Sequence, residues 1–289
     1  MEVVRPATAS AFLKLAGPLL ERDEARNQLP LAVAGTVAEY PEAYDEARFW
    51  VALDGGEPVA AALHTMPYGG LLADPLSEAA LSAVLAAVAE DDPDVAGLVG
   101  MVPHIETAAR TLAAATGRRP ERMLSQGVFA LREVRTVPRA PGASRPADDG
   151  DRDLLRGWLA DFATESLPDP GREIDRIERT LDVRLHSYDA GFWLWEVDGE
   201  PVSMSGFGGR TPSGIRIGPV YTPPERRRHG YATTLVADQS AWLLERGRRW
   251  CFLYTDLENP TSNRIYEVIG YERVGDSADY RFVEPQLHR

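Results

Sequence analysis

The sequence is poor in cysteine, in positive charge and in long apolar runs, and each shortage narrows the possibilities. Cys251 is the single cysteine, which excludes an internal disulfide framework and suits a reducing cytosol. Basic residues number 31 against 44 acidic ones, for a formal net charge of −13. An acidic body argues against general nucleic-acid binding, which needs basic surface. It is compatible with a cationic substrate such as an amine. No segment approaches the roughly 20 apolar residues of a membrane span. Lys14 interrupts the only apolar stretch near the N-terminus, and a signal peptide's basic flank is missing. A cytoplasmic protein with no membrane partner is expected. The 5 histidines show no H-E-x-x-H or similar spacing, so no metal site is expected.

What is present is ordinary globular material, 44% hydrophobic and 26% charged over 289 residues. That length suits one large domain or two of about 100–150 residues. The clearest shift in composition runs from Thr136 to Gly150, with three prolines, two glycines and few large apolar residues. The expected division is a first domain at 1–135, a linker or edge strand at 136–150, and a second domain at 151–289. The two sides resemble each other. FWVALDGGEPV (Phe49 to Val59) matches FWLWEVDGEPV (Phe192 to Val202), and each reads as a hairpin. Arg5-Pro6-Ala7 matches Arg145-Pro146-Ala147, and Gly117 to Phe129 has the spacing of Gly270 to Phe282. Three matches in one order indicate an architecture used twice.

The second half reads as helices around Leu154–Phe162 and Ile174–Leu185, the hairpin, and a strand near Ile215–Tyr221. A helix then carries Ala232, Leu235, Val236, Gln239 and Leu243 on one face and ends at Gly247. A buried strand at Trp250–Thr255, a helix at Thr261–Ile269 closed by Gly270, and a last strand at Tyr280–Val283 complete an α/β chain with a mixed sheet. Trp193 and Trp195 alternate along their strand and are expected in the core.

Between strand and helix lies Arg227-Arg228-His229-Gly230-Tyr231-Ala232. A short loop before a helix points unpaired N–H groups and the positive end of the helix dipole at one spot, which seats a phosphate. Gly230 and the small Ala232 allow close backbone approach. Downstream follows N-x-x-S-x-x-x-Y-x-x-x-G-Y, from Asn259 through Ser262, Tyr266 and Gly270 to Tyr271. Loop and downstream segment together resemble the GNAT N-acetyltransferase superfamily over roughly Ser144–Phe282. The family often has Ala at the place of Ser262 and Phe at that of Tyr271.

The resemblance implies two tandem GNAT-like domains. Each would be a mixed, mostly antiparallel sheet flanked by helices, with a splayed parallel strand pair as the acyl-CoA cleft. It implies acetyl-CoA as acyl-donor substrate. Arg228, His229, Gly230, Tyr231, Ala232 and Thr233 would hold the pyrophosphate, with Arg227 opening the motif. Backbone groups of Val220, Tyr221 and Thr222 would meet pantetheine, Asn259 would bond the cofactor, and Tyr266 would lie near the sulfur. The implied reaction is N-acetylation of a small-molecule amine. Asp256 and Glu258, just past a strand, are candidate bases; alternatively Asp256 caps a turn and Glu258 is solvated. Another acyl-CoA, a thiol acceptor as in mycothiol synthase, or a CoA-binding sensor without turnover are the alternatives.

Other signals read more plainly. Cys251 is expected in the core. Ser205-Gly-Phe-Gly-Gly209 lacks the full dinucleotide-loop spacing and follows a hairpin strand. In the first half, alignment sets Ala113 opposite Tyr266 and Asp74-Pro75-Leu76-Ser77 opposite Arg227–Gly230. An aspartate repels an anion and a proline lacks the N–H. The first half is therefore expected to have lost its cofactor site and to shape the substrate cleft or an oligomer interface.

Overall fold

The chain folds as two units, Met1–Val128 with Val274–Arg289, and Phe129–Arg273. The structure, a computed structural model, describes residues 1–285. The first unit begins with β1 (Glu2–Val4), α1 (Ala9–Leu20), α2 (Gln28–Glu39), β2 (Glu46–Asp54), β3 (Glu57–Met66) and β4 (Gly70–Leu72). It continues with α3 (Glu78–Asp91), β5 (Gly97–Met101), α4 (His104–Ala115) and β6 (Arg119–Leu131), which runs into the second unit. Pairing is antiparallel from β1 to β4 and parallel between β4 and β5. Successive residues of β2 face opposite cores, as a pleated strand requires. Trp50 and Ala52 pack with α3 and α4, while Phe49 and Val51 pack with α1 and α2.

The second unit contains β7 (Ala143–Pro146), α5 (Arg152–Ser166), α6 (Pro170–Ile174), α7 (Ile177–His186), β8 (Gly191–Val197), β9 (Glu200–Arg210) and β10 (Gly214–Tyr221). It closes with α8 (Tyr231–Glu245), β11 (Trp250–Asp256) and α9 (Pro260–Ile269). The strands pair antiparallel from β7 to β10, and β10 and β11 are parallel. Trp193 and Trp195 enter the core under α8 and α9, joined by Phe129 and Leu131 from the end of β6. Phe192 and Leu194 face α5 and α7. Both units are thus α/β, with a mixed, mostly antiparallel sheet between helices. Among the described residues no helix is long and apolar enough to cross a membrane.

The repeated hairpins agree down to the register. Gly55 and Gly56 have φ of 58° and 91°, and Asp198 and Gly199 have 53° and 80°. Two positive-φ residues give the primed turn that matches strand twist. Each hairpin then slips by one residue at the same place, leaving Leu53 opposite Pro58 and Glu196 opposite Pro201. Gly117 and Gly270 end their helices at φ of 70° and 115°, where only glycine is unstrained.

Two elements differ from the pattern read in the sequence. The helix expected at Ile174–Leu185 is two, α6 and α7, with Asp169 capping the first through Arg172 N. The proline-rich stretch 136–150, read as a linker or edge strand, lies within the second unit, where Val137 is buried and β7 is an edge strand paired with β8. The last strand is β12 (Glu272–Val283), and it pairs with β5 in the first unit. Its polar residues concealed the alternation, yet Ala278, Tyr280 and Phe282 enter the α3–α4 core.

Arg145 fixes the entry to α5. Its guanidinium donates to both Asp151 oxygens at 2.6 and 2.8 Å and to Glu196 at 2.8 Å. Asp151, whose side chain is 11% exposed, also accepts from Asp148 N. The Arg145 guanidinium beside it holds its carboxyl below the usual range, against the opposing effect of burial. A depressed folded pKa gives stability that is present above the unfolded value of about 3.9 and lost as pH falls through the folded one. Asp151→Asn should cost about 1–3 kcal/mol near neutrality. The difference from the unaltered protein should shrink as urea denaturation is repeated from pH 6 down to pH 3. An undiminished gap at pH 3 would show that the ion pair is not its source.

Candidate active site

β10 and β11 pair at only three positions, Gly214 with Trp250, Ile215 with Cys251 and Arg216 with Phe252. Beyond them β10 continues to Tyr221 and β11 to Asp256 with no pairing between the two. The strands part there, as a cleft between parallel strands requires. On its other edge β10 stays bonded to β9 across a bulge, with Ile217 opposite Phe207 and then Val220 opposite Ser205.

The chain leaves β10 through Thr222 and a short turn at Pro224–Arg226 before entering α8. Arg228 has φ of 68° and Gly230 has 80°. These left-handed residues curl the backbone so that successive N–H groups face the same side. Gly230 is the N-cap of α8, and no side chain caps that helix. Among the described residues, the N–H groups from Arg228 to Thr233 meet no acceptor outside the helix. Donors and helix dipole therefore converge on an open, exposed seat for an anion.

The side chains around the seat divide the work. Arg228 is exposed and forms no ion pair among the described residues. Arg227 is committed: Nε donates to Thr222 O at 2.8 Å and Nη2 pairs with Glu165 at 2.6 Å. His229 stacks on Tyr231 and turns Nδ1 toward Arg226 O at 3.2 Å. Ala232 and Thr233 occupy the first turn of α8. A groove of about 420 Å³ opens beside them, lined by Thr233, Pro260, Thr261, Arg264, Ile265 and Val268.

Asn259 caps α9, accepting from Ser262 N at 3.1 Å. Asp256 accepts from Glu258 N at 2.9 Å and so closes the turn after β11, while Glu258 is exposed. Tyr266 is buried and packs edge-on to Tyr271 at 5.9 Å in a cluster that also holds Val220 and Tyr231. Burial pushes its phenol up to about 12. Tyr221 is pushed up to about 12 as well, by burial and then by the charges of Glu165 and Asp161. Cys251 is fully buried, and desolvation raises its thiol to about 12, which suits a packing role.

Glu165 is the residue that reading the sequence did not single out. It accepts from the Tyr221 hydroxyl at 3.2 Å and holds Arg227. A signal existed, because Glu165 continues the helical stripe of Leu155, Trp158 and Phe162, where a carboxylate is out of place.

The counterpart in the first unit is built differently. β4 and β5 pair in parallel at only two positions. Ser77 caps α3 with its own side chain, accepting from Ala80 N at 3.1 Å. Asp74 occupies the connecting loop, paired with Arg26 and His104 at 2.7 Å each. An amide is capped and a negative charge stands where the second unit keeps open donors. Ala113, set opposite Tyr266, is fully buried.

Residues 153–271 match the acetyltransferase (GNAT) family. That match lies wholly within the second unit and takes in most of it. Solved structures extend the GNAT likeness over the whole chain at the level of fold. A tandem GNAT protein of the clavulanic acid biosynthesis pathway superimposes over 100% of both chains, with 15% identity and a TM-score of 0.55. A GCN5-related N-acetyltransferase of Sphaerobacter thermophilus covers 99% of this chain and 98% of its own, with 20% identity and a TM-score of 0.58. A Drosophila protein covers 97% and 98%, with 12% identity and a TM-score of 0.65. No curated protein sequence matches the chain.

The sequence resemblance would set Tyr266 near a leaving sulfur. A phenol at about 12 is a much weaker acid than a thiol near 8.5. Complete proton transfer to a thiolate would be uphill by about 5 kcal/mol, so this hydroxyl is better suited to donating a hydrogen bond than to giving up its proton. Tyr266→Phe should therefore lower kcat by about 10–100-fold with little change in the affinity for acyl-CoA. The shape of the kcat–pH profile below pH 10 should stay the same, because that phenol does not titrate there. Loss of an ionisation in that range on mutation would overturn the assignment.

Proposed function

We propose that the second unit transfers an acetyl group from acetyl-CoA to the amine of a small molecule, by direct attack on the thioester. The uncapped N-terminus of α8 behind Arg228 and Gly230, at the parting of β10 and β11, carries this reading. The residues present fit the donor. Six consecutive N–H groups and one unpaired arginine suit a pyrophosphate, and a β10 edge released by β11 suits the amide-bearing pantetheine arm. Acetyl-CoA bound there would supply an activated acyl thioester.

The chain's own residues do the rest. Arg228 to Thr233 hold the pyrophosphate, and the backbone of Val220, Tyr221 and Thr222 aligns the arm. An N–H of Val220 or Tyr221 donates to the carbonyl oxygen as charge grows on it. Asn259 keeps its amide nitrogen available to the donor while its oxygen caps α9. An alkyl amine near pKa 10.4 is neutral about once in a thousand molecules at pH 7, a penalty of about 4–5 kcal/mol. Asp256 or Glu258 removes that proton directly or through water. Of the two, exposed Glu258 is the less encumbered, since Asp256 already accepts from Glu258 N.

Ala232→Asp separates binding from folding. A carboxylate in the first turn of α8 favours the helix dipole, so thermal stability should hold. The same carboxylate would occupy and repel the anion seat. Acetyl-CoA affinity, read by calorimetric titration, should fall at least 10-fold, and CoA release with a panel of amines should fall with it. Unchanged affinity would remove the seat. Tight binding by the unaltered protein without CoA release from any amine, thiol or alcohol would favour a sensor, and release with a thiol alone would replace the amine.

A further inference from the structure

The run Ser205-Gly206-Phe207-Gly208-Gly209 on β9 is not a nucleotide loop, yet three glycines within one strand weaken it and call for a cause. At Gly206 the cause lies on α7. Arg184 reaches across the sheet, and its Nη1 donates to Gly218 O at 2.7 Å. A Cβ on Gly206 would stand 2.5 Å from that Nη1 and 2.9 Å from Gly218 O. A Cβ on Gly208 would crowd Ala190 at 3.1 Å and meet Arg184 Nε at 3.8 Å. The guanidinium also lies over the Phe192 ring, 5.3 Å from its centre. Gly206 clears the path by which the arginine reaches β10.

Gly218 is the bulge. Between the pairs Ile217–Phe207 and Val220–Ser205, β10 carries Gly218 and Pro219 where β9 has Gly206 alone. Gly218 adopts φ of 133°, where glycine is favoured. Pro219 has no N–H to give to the ladder. The bulge lies just past the last pair of β10 with β11, and Val220 and Tyr221 follow it directly.

We infer that Arg184 is a positioning residue for acyl transfer, setting the β10 bulge through Gly218 O and thereby the backbone of Val220 and Tyr221 that faces the thioester. Gly206 is its necessary partner. The inference rests on the acyltransfer reading for its catalytic consequence but not for its structural one. Two variants test it from opposite sides. Arg184→Met removes the donor, and Gly206→Ala blocks its path while leaving Arg184 in place.

Hydrogen exchange without any ligand should be at least 10-fold faster, in both variants, at whichever amide of Val220 and Tyr221 is bonded to β9, with α8 unchanged. Turnover of acyl-CoA should lose 10-fold or more in kcat with KM for acyl-CoA within threefold, because the pyrophosphate seat is intact. The double variant should be no worse than either single one, and Arg184→Lys should recover part of kcat. Unchanged exchange at Val220 and Tyr221 overturns the inference whatever turnover shows. So does a multiplicative loss of kcat in the double variant. If the unaltered protein neither binds nor turns over acyl-CoA, the acyltransfer reading fails, and the exchange result alone decides the role of Arg184.

Discussion

The parallel ladder between β10 and β11 stops after three residue pairs, and the chemistry proposed for the second unit depends on that interruption. Backbone N–H and C=O groups seldom stay unpaired away from water, since each orphan costs about 1–3 kcal/mol. A sheet that opens in its middle must therefore be held open. Here the outer edge of β10 remains bonded to β9 through the bulge, Ser203 donates to Tyr221 O at 3.1 Å, and Gln239 ties α8 to Ser205 on both its amide atoms. The opening is thus bordered by a bonded frame, and on the proposed reading a ligand with its own amides completes the ladder.

The first unit shows what the same frame does without a seat. Hairpin register, turn type and helix-ending glycines repeat, so the duplication reaches local backbone geometry. The difference sits in a few residues between the fourth strand and the third helix. Ser77 satisfies one donor of α3 with its side chain, whereas Gly230 has no side chain to do the same on α8. One hydroxyl at the N-cap separates a stabilised helix end from an open anion seat, the usual opposition between stability and function at such positions.

Much of this was legible in the sequence because it is local. Gly-Glu-Pro-Val after an apolar strand specifies the hairpin, and the Arg-Gly loop with Asn259, Tyr266 and Gly270 behind it specifies the site elements. Long-range pairing was less legible. Nothing in Glu272–Val283 says that the strand joins β5, because partner choice depends on residues almost 180 positions away and on a polar-looking segment whose alternate side chains happen to face a core. Glu165 and Arg184 escaped for a related reason. Each is a charged residue on a helix whose role depends on what the sheet presents opposite it, a Tyr221 hydroxyl in one case and the Gly218 carbonyl in the other.

The charge of the chain places a constraint on the seat. A net charge of −13 repels a polyanionic donor at long range, although salt limits that repulsion to about 8 Å at physiological ionic strength. Arg227, the cation that opens the loop, is neutralised by Glu165. Both side chains are about 40% exposed (43% and 39%), so the pair adds about 0–1 kcal/mol to stability. Its consequence is geometric, since it draws Arg227 over the Tyr221 ring, 5.8 Å from its centre, and onto Thr222 O. On the proposed reading, attraction for a pyrophosphate comes from groups that act at contact, the α8 amides and Arg228. A seat of this kind gains little from steering and selects by shape, because only an anion able to enter the curl between Arg228 and Gly230 meets donors fixed in position.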